Sequence, residues 1–189
     1  MDGARATRIS KLLSFCLRHN PTALGVRVDG SGWARIDDVL RGLATQGEVV
    51  TQDELELIVA TSDKQRFAVS PDGSNIRANQ GHSINVDLGL AAMEPPDVLY
   101  HGTVTRFADG IRREGLVRGA RTHVHLSTDT VTAMLVARRR GGQRLILSVL
   151  ARRMYAAGYT FVRSDNGVWL TNNVPPEFLA FPDEGTSPL

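Results

Sequence analysis

An arginine and a histidine stand side by side at the end of the first predicted helix, as Arg18 and His19. Adjacent helical residues point about 100° apart, so both side chains can reach one site only near a helix terminus. A guanidinium binds a phosphate through two parallel hydrogen bonds, and histidine exchanges protons near neutral pH. The alternative is structural, because basic residues at a helix C-terminus also interact favourably with the helix dipole.

Two histidine-containing segments in the second half could bind a ligand. His101-Gly102-Thr103 follows a predicted strand; its glycine lets the backbone approach a ligand, and its neighbours can bind hydroxyl groups. Strand alternation places His123, His125 and Ser127 on one face. The segment His101-Gly102-Thr103 could equally be an ordinary turn. The two histidines could bind zinc, although no recognised ligand spacing completes such a site.

Arginine supplies nearly all the positive charge, since Lys11 and Lys64 are the only lysines. Its planar fork suits phosphate, but codon bias gives the same composition. The run Arg138-Arg139-Arg140 follows a predicted helix. Such a run is commonly a solvated helix end, or one of its members points inward at a phosphate. Arg66 and Arg77, on a predicted hairpin, raise the same question.

Bulk composition predicts a globular protein of one large domain or two small ones. The 189 residues are 42% apolar and 22% charged, with a formal net charge of only +2. No apolar run approaches the roughly 20 residues of a membrane span, and we expect a cytoplasmic protein with no membrane partner. The single cysteine, Cys16, excludes an intrachain disulfide and a cysteine-rich zinc site; we predict it to be a core residue.

The residue pattern of the first half predicts three helices followed by a hairpin. The first spans 7–19 and ends before Asn20-Pro21, because proline disfavours helix at the preceding residue. The second follows Asp37 or Asp38 and carries Val39, Leu40 and Leu43, and the third opens with the capping box at 51–54. Strands at 66–69 and 76–78 then flank a turn at 71–73. This is the order of a winged helix, a fold that binds nucleic acid or protein partners.

We place a domain boundary near residue 90. Beyond it, the residue pattern predicts short strands and helices. Neither a Gly-rich phosphate loop nor a G-x-S-x-G motif is present, so a bound nucleotide would not use a Rossmann unit. The predicted elements are a strand at 98–100 that ends at His101-Gly102-Thr103, a helix with Phe107 and Ile111 that stops at Gly115, a strand around Val124, a helix capped by Thr128, and strands at 144–150, 161–162 and 168–170.

Taken in order, these segments resemble the RNA 2′-phosphotransferase family. The order and spacing of the motifs, more than any one of them, make the resemblance specific. The matching stretches lie at 13–21, 32–33, 37–40, 63–67, 76–83, 99–103, 114–116, 121–127 and 161–171.

The resemblance implies an α+β fold of two lobes. Residues 1–90 would form a winged-helix lobe that binds RNA. Residues 91–189 would form an ADP-ribosyltransferase-like lobe that binds NAD⁺ as a co-substrate. The expected partners are NAD⁺ and an RNA carrying a 2′-phosphate. We expect the protein to be a monomer and to use no metal ion.

The resemblance also implies the catalytic set Arg18, His19, Arg66 and Arg139. Arg140 stands where the family usually has histidine, and Ala137 where it often has glycine. This departure leaves open which of Arg138, Arg139 and Arg140 faces the phosphate.

Further positions follow from the same resemblance. Val168 would replace the glutamate of many other ADP-ribosyltransferases. The proposed RNA contacts also have a structural alternative, packing of the wing. The implied NAD⁺ contacts are His101, Gly102, Thr103, His125, Leu126, Ser127, Asn166 and Val168, and the implied RNA contacts are Arg77, Gln80, His82 and Ser83.

The family's reaction transfers an internal RNA 2′-phosphate to NAD⁺ through a 2′-phospho-ADP-ribosyl RNA. Its products are RNA with a 2′-hydroxyl, ADP-ribose 1″,2″-cyclic phosphate and nicotinamide; in tRNA splicing the substrate is the ligated junction. One alternative is an ADP-ribosyltransferase that caps terminal phosphates of RNA or DNA. Another is a winged-helix regulator with a small-molecule-sensing lobe, although no helix rich in base-reading residues is evident.

Overall fold

A computed structural model describes residues 2–62 and 64–182, which divide into two compact units at Gly89 and Leu90. We call them the N-lobe (2–89) and the C-lobe (90–182). Helices and small sheets are mixed in both lobes, as the sequence predicted. Asp63, within one matched stretch, and 183–189, within the second predicted domain, lie outside the described residues.

The N-lobe opens with helix α1, Gly3–Arg18, which starts four residues before the predicted helix at 7–19. The side chain of Asp2 explains the early start, because it caps the helix by accepting a hydrogen bond from the amide of Arg5 at 2.7 Å. The C-terminal end agrees with the prediction, since proline follows at position 21.

Two further helices follow. Helix α2 spans Ile36–Thr45, and its N-cap is Arg35 rather than either of the predicted aspartates, which lie in its first turn. Helix α3 spans Gln52–Ala60 and begins at the predicted capping box, in which Thr51 and Glu54 bond each other's backbone amides.

A three-stranded antiparallel sheet completes the N-lobe. Strands β2 (Phe67–Val69) and β3 (Asn75–Ala78) form the predicted hairpin, and β1 (Ala34–Arg35) pairs with the other edge of β3. Sequence reasoning missed β1 because two residues carry no periodic signal. In the hairpin turn Asp72 accepts bonds from Ser70 and Ser74, which lowers its pKa to about 2.

The C-lobe sheets pack around their own core. In chain order the elements are β4 (Leu99–Val104), α4 (Ala108–Glu114), β5 (Leu116–Val117), β6 (Val124–Leu126), α5 (Thr130–Ala137), β7 (Arg144–Val149), α6 (Ala151–Ala156), β8 (Val162–Arg163), β9 (Trp169–Thr171), β10 (Asn173–Val174) and β11 (Leu179–Ala180). The strands form antiparallel sheets with the orders β11-β7-β4, β6-β9-β8 and β10-β5.

Two sequence predictions in the C-lobe are wrong in detail. His101-Gly102-Thr103 does not end the first strand but lies inside β4, because residues 101–104 pair with 147–144 of β7. Helix α5 is capped by Asp129, whose carboxylate accepts from the amide of Thr132, and not by Thr128. The short elements α6, β5, β10 and β11 were not predicted.

Each lobe buries a separate apolar core. In the N-lobe the apolar face of α1 is buried; Cys16, at 1% exposure, is a core residue as predicted, and burial raises the pKa of its thiol. The C-lobe core contains Phe161 and Met154, both fully buried. Across the described residues, no helix combines the length and the apolar character needed to cross a membrane.

Candidate functional site

The end of α1 brings three N-lobe candidates together. His19 is the C-cap residue, and its Nδ1 lies 2.9 Å from the hydroxyl of Ser83. The amide of Ser83 also donates to the carbonyl of Arg18 at 2.9 Å. These bonds hold the segment after β3 against the helix end, so Arg18, His19 and Ser83 share one site.

Arg66 reaches the same region from the start of the hairpin. Gln65, just before it, has a φ of +40°, an unfavourable value for a residue with a side chain. Buried Asn79 holds this turn, because its amide side chain donates to the Gln65 carbonyl at 2.7 Å. The guanidinium of Arg18 lies 3.5 Å from the Arg66 carbonyl. Such a strained position next to a candidate residue is typical of functional sites.

An open cleft of about 470 Å³ runs from these two arginines along α1. We call it the α1–α3 cleft, since one wall is α1 and the other is the end of α3 with the residues after it. It is lined by Ala6, Thr7, Ser10, Lys11, Ser14, Arg18, Ile58, Thr61, Ser62 and Arg66.

Two of the predicted RNA contacts pack inside the N-lobe. His82 is 1% exposed, and its Nε2 has no hydrogen-bond partner among the described residues. Burial, with the nearby charges of Arg18, His19 and Arg77, lowers its pKa to about 4, so it is neutral at pH 7. The guanidinium of Arg77 stacks 4.6 Å from the ring centroid of Trp33. Gln80 is half-buried. The packing alternative therefore has a physical basis for His82 and Arg77.

In the C-lobe a β-bridge between Tyr100 and Ser127 aligns β4 with the end of β6. His101 therefore lies beside His125, whose carbonyl is 3.1 Å from its Nδ1. Burial lowers the pKa of His101, and the charges of Arg140 and Arg121 act in the same direction. A carbonyl only accepts, so the neutral imidazole carries its proton on Nδ1 and leaves Nε2 as an acceptor.

Gly102 has a packing role in this arrangement. A Cβ at this position would lie 1.9 Å from the carbonyl oxygen of Ala133, so only glycine lets α5 cross β4. The close backbone approach predicted here is thus made to α5. Thr103, the next residue, is 4% exposed.

The second histidine segment alternates as predicted, with Val124 and Leu126 buried and the histidines half-buried. Nδ1 of His125 lies 3.0 Å from the carbonyl of His123. Burial, with the charge of Arg118, lowers the pKa of His123. Because the Leu126 side chain is in the core, only its backbone is available to a ligand. Within the described chain, no three His, Cys, Asp or Glu side chains gather as metal ligands.

Arg121 lies close to Arg139 and Arg140, and the charges of Arg121 and Arg140 also act on His101. Burial lowers the pKa of Arg121, and the neighbouring charges of Arg139 and Arg140 lower it further. None of the three pairs with a carboxylate of the described residues. Arg140 stacks on Phe107, 5.4 Å from its ring centroid. Sequence reasoning did not select Arg121, although it continues the alternating series of His123 and His125 and could have been found from that spacing.

The last candidates lie in the β8–β9 turn. Buried Ser164 accepts from the amide of Val168 at 3.2 Å, and its hydroxyl lies 2.8 Å from Oδ1 of Asn166. Gly167 adopts a φ of +82°, which a tight turn requires. The turn therefore fixes the backbone at Asn166 and leaves the apolar Val168 half-buried.

The sequence is similar to known proteins along most of its length. A protein of Burkholderia lata named "Probable RNA 2′-phosphotransferase" is 52% identical over 180 residues, covering 95% of this chain and 92% of that protein. Proteins of the same name from Nostoc punctiforme and Pseudomonas aeruginosa are 46% and 48% identical, each covering 95% of this chain and 98% of its own length. The family described as "RNA 2′-phosphotransferase, Tpt1 / KptA family" matches residues 4–173. This chain belongs to that family.

Proposed function

We propose that the protein is an NAD⁺-dependent RNA 2′-phosphotransferase. It would transfer a 2′-phosphate from RNA to the ADP-ribose part of NAD⁺, releasing nicotinamide, ADP-ribose 1″,2″-cyclic phosphate and RNA with a 2′-hydroxyl. One observation carries this proposal. The adjacent pair Arg18 and His19 is held together with the distant Arg66 by bonds from Ser83 to the pair and by the contact of the Arg18 guanidinium with the Arg66 carbonyl. The names of the relatives support the same activity.

The lobes suit the two expected substrates. Helices α1, α2 and α3 with the β1-β3-β2 sheet have the composition of a winged helix, which supports assigning the N-lobe to RNA. We assign the C-lobe the ADP-ribosyltransferase fold. Its neutral His101 accepts a hydrogen bond from a hydroxyl of ribose, and Arg121 binds the anionic part of a dinucleotide.

NAD⁺ supplies an electrophilic sugar carbon with a cationic ring as the leaving group. In the first step a 2′-phosphate oxygen of the RNA attacks this carbon. The phosphate is already anionic and nicotinamide leaves neutral, so no general base or acid is required. The half-buried Val168 fits this requirement. The protein contributes alignment, which lowers a barrier by roughly 7–11 kcal/mol in favourable cases.

The second step places greater demands on charged groups. The ribose 2″-oxygen attacks the phosphorus, the bond to the RNA 2′-oxygen breaks, and a proton must reach that oxygen. Guanidinium groups of Arg18, Arg66 and Arg139 stabilise the charge that develops on the phosphoryl oxygens. His19, oriented by Ser83, moves the proton.

Arg139 is assigned to the phosphate in preference to its neighbours. Arg140 already stacks on Phe107, and Arg138 forms the C-cap of α5. Arg139 contributes the larger of the two arginine charges felt by Arg121, which supports a position facing into the cluster.

One incubation tests the proposal. The protein is mixed with NAD⁺ and an RNA carrying an internal 2′-phosphate, and nucleotide and RNA products are separated. ADP-ribose 1″,2″-cyclic phosphate and RNA with a 2′-hydroxyl are expected. An ADP-ribosylated RNA as the final product would indicate the capping reaction instead, and sequence-preferring duplex DNA binding without NAD⁺ turnover would indicate a regulator.

A further inference from the structure

The α1–α3 cleft extends well beyond the two arginines assigned to the 2′-phosphate. Ser14 and Lys11 lie four and seven residues before Arg18 on α1. At 1.5 Å per residue they are about 6 Å and about 10 Å further along the helix axis. The cleft is therefore longer than one phosphate group requires, on the scale of a neighbouring nucleotide.

The lining of the cleft suits a polyanion. It carries one lysine, two arginines and five hydroxyl side chains, and none of its ten described residues is acidic. Lys11 is exposed and makes no ion pair with a described residue. By contrast, Arg5 and Arg8 on the same helix pair with Glu48. Lys11 is thus available to an external phosphate.

The two walls differ in their hydrogen-bonding capacity. On the α3 side, the hydroxyl of Thr61 already donates to the carbonyl of Leu57 at 2.6 Å. The C-terminal end of α3 also carries partial negative charge, which disfavours an anion there. On the α1 side, the hydroxyls of Ser10 and Ser14 make no hydrogen bond to a described residue and can donate. A phosphate is therefore best accommodated against α1, between these serines and Lys11.

We infer that the α1–α3 cleft binds the sugar-phosphate backbone of single-stranded RNA adjacent to the 2′-phosphorylated nucleotide. Lys11, Ser10 and Ser14 contact the neighbouring phosphodiester. Hydroxyl and ammonium groups that contact phosphate carry no base information, so the contact is independent of sequence. The inference rests on the proposed function, because Arg18 and Arg66 must hold the 2′-phosphate at one end of the cleft.

A binding measurement tests the cleft without catalysis. The affinity of the full-length protein for a fluorescent single-stranded RNA without a 2′-phosphate is measured for the wild type, Lys11→Glu and Lys11→Arg. We expect Lys11→Glu to weaken binding about tenfold and Lys11→Arg to retain it. Removing this one phosphate contact should reduce the slope of log Kd against log salt by about 0.7. Arg27→Glu makes the same charge change at an exposed arginine outside the cleft and controls for the overall field.

Kinetics with RNAs of different length complete the test. Wild type is expected to show a lower KM for 2′-phosphorylated RNAs extended on one side than for a dinucleotide, and Lys11→Glu or the Ser10→Ala/Ser14→Ala pair should remove this advantage. Serine-to-alanine changes favour helix, so a folding defect would not mimic the result. Equal RNA affinity in Lys11→Glu and Arg27→Glu would overturn the inference. Normal RNA binding without any cyclic phosphate product would instead overturn the proposed function.

Discussion

The N-lobe and the C-lobe present their candidate residues in different ways. In the N-lobe, Arg18 and Arg66 line an open cleft, and a neutral buried histidine, His82, lies near them. In the C-lobe, His101 has a lowered pKa and bonds a backbone carbonyl of the neighbouring strand segment, while three arginines cluster without an ion pair to any carboxylate in the described part of the lobe.

This difference indicates a division of labour. Cations exposed in a cleft suit a substrate that is itself a polyanion. A neutral imidazole fixed by a backbone carbonyl, as in His101, suits the hydroxyl groups of a sugar, which neither attract nor require charge. We therefore expect substitutions in the N-lobe set to affect phosphate transfer most strongly, and substitution of Gly102 in strand β4 to affect mainly the stability of the C-lobe.

The largest effects are expected in the N-lobe. Arg18→Ala and Arg66→Ala should lower turnover of NAD⁺ and 2′-phosphorylated RNA about 10²–10³-fold, because each removes a cation from the phosphate. His19→Ala should lower the same turnover about 10²–10⁴-fold and accumulate ADP-ribosylated RNA, since the role of His19 is in the second step. Product-resolved kinetics measure both, with Arg27→Ala as an exposed arginine control. Loss of the first step alone in His19→Ala would contradict its assigned role.

The arginine run at the end of helix α5 tests whether the C-lobe also contributes a cation to the phosphate. Arg139→Ala should lose about 10²–10³-fold in turnover and also accumulate ADP-ribosylated RNA. Arg138→Ala, at the exposed C-cap of α5, should stay near wild type. The same assay on these two variants and on Arg140→Ala identifies the acting arginine, and a severe defect in Arg138→Ala with normal Arg139→Ala would reassign it.

Gly102 tests whether the β4 motif has a packing role. Gly102→Ala forces a Cβ against the Ala133 carbonyl, and we expect it to destabilise the protein by about 3 kcal/mol. The control is Gly110→Ala in α4, where nothing lies within 4 Å of the new Cβ; it should add about 0.5–1 kcal/mol of stability. Urea unfolding measures both. Equal stability of the two variants would mean that α5 does not lie against Gly102.

The smallest expected effect concerns the pH dependence of stability through His82. Its folded pKa of about 4 lies below the ordinary 6.5 of an unfolded chain, so acid protonates the unfolded state first. This contribution is present at pH 7 and decreases as the pH falls through 6.5 towards 4, by about 2 kcal/mol between pH 7 and pH 5. The free energy of unfolding should change less between pH 7 and pH 5 in His82→Gln than in the wild type. An unchanged difference would mean that His82 is not buried neutral.

Local signals in the sequence were sufficient for much of the N-lobe. Proline at position 21 fixed the end of α1, and Thr51 with Glu54 fixed the start of α3, since both are interactions between near neighbours in the chain. The turn at Asp72 likewise needs only adjacent residues. These features do not depend on what packs against them.

Long-range pairing explains what could not be predicted. β4 continues through His101-Gly102-Thr103 because β7 lies beside it, more than 40 residues away in sequence. The burial of His82 and the stacking of Arg77 on Trp33 also depend on distant partners, so the sequence left both RNA contact and packing open for these residues. The spacing of Arg121 to His123 and His125 was visible in the sequence, but its approach to Arg139 and Arg140 occurs only in the folded lobe.

The most direct measurement follows the phosphorus atom itself. An RNA labelled with radioactive phosphorus only in its 2′-phosphate is incubated with excess wild-type protein and NAD⁺ for a single turnover. We predict that the label leaves the RNA and appears in ADP-ribose 1″,2″-cyclic phosphate, with one nicotinamide released per phosphate. Label that remains on RNA, or appears as inorganic phosphate without consumption of NAD⁺, would contradict the proposed transfer.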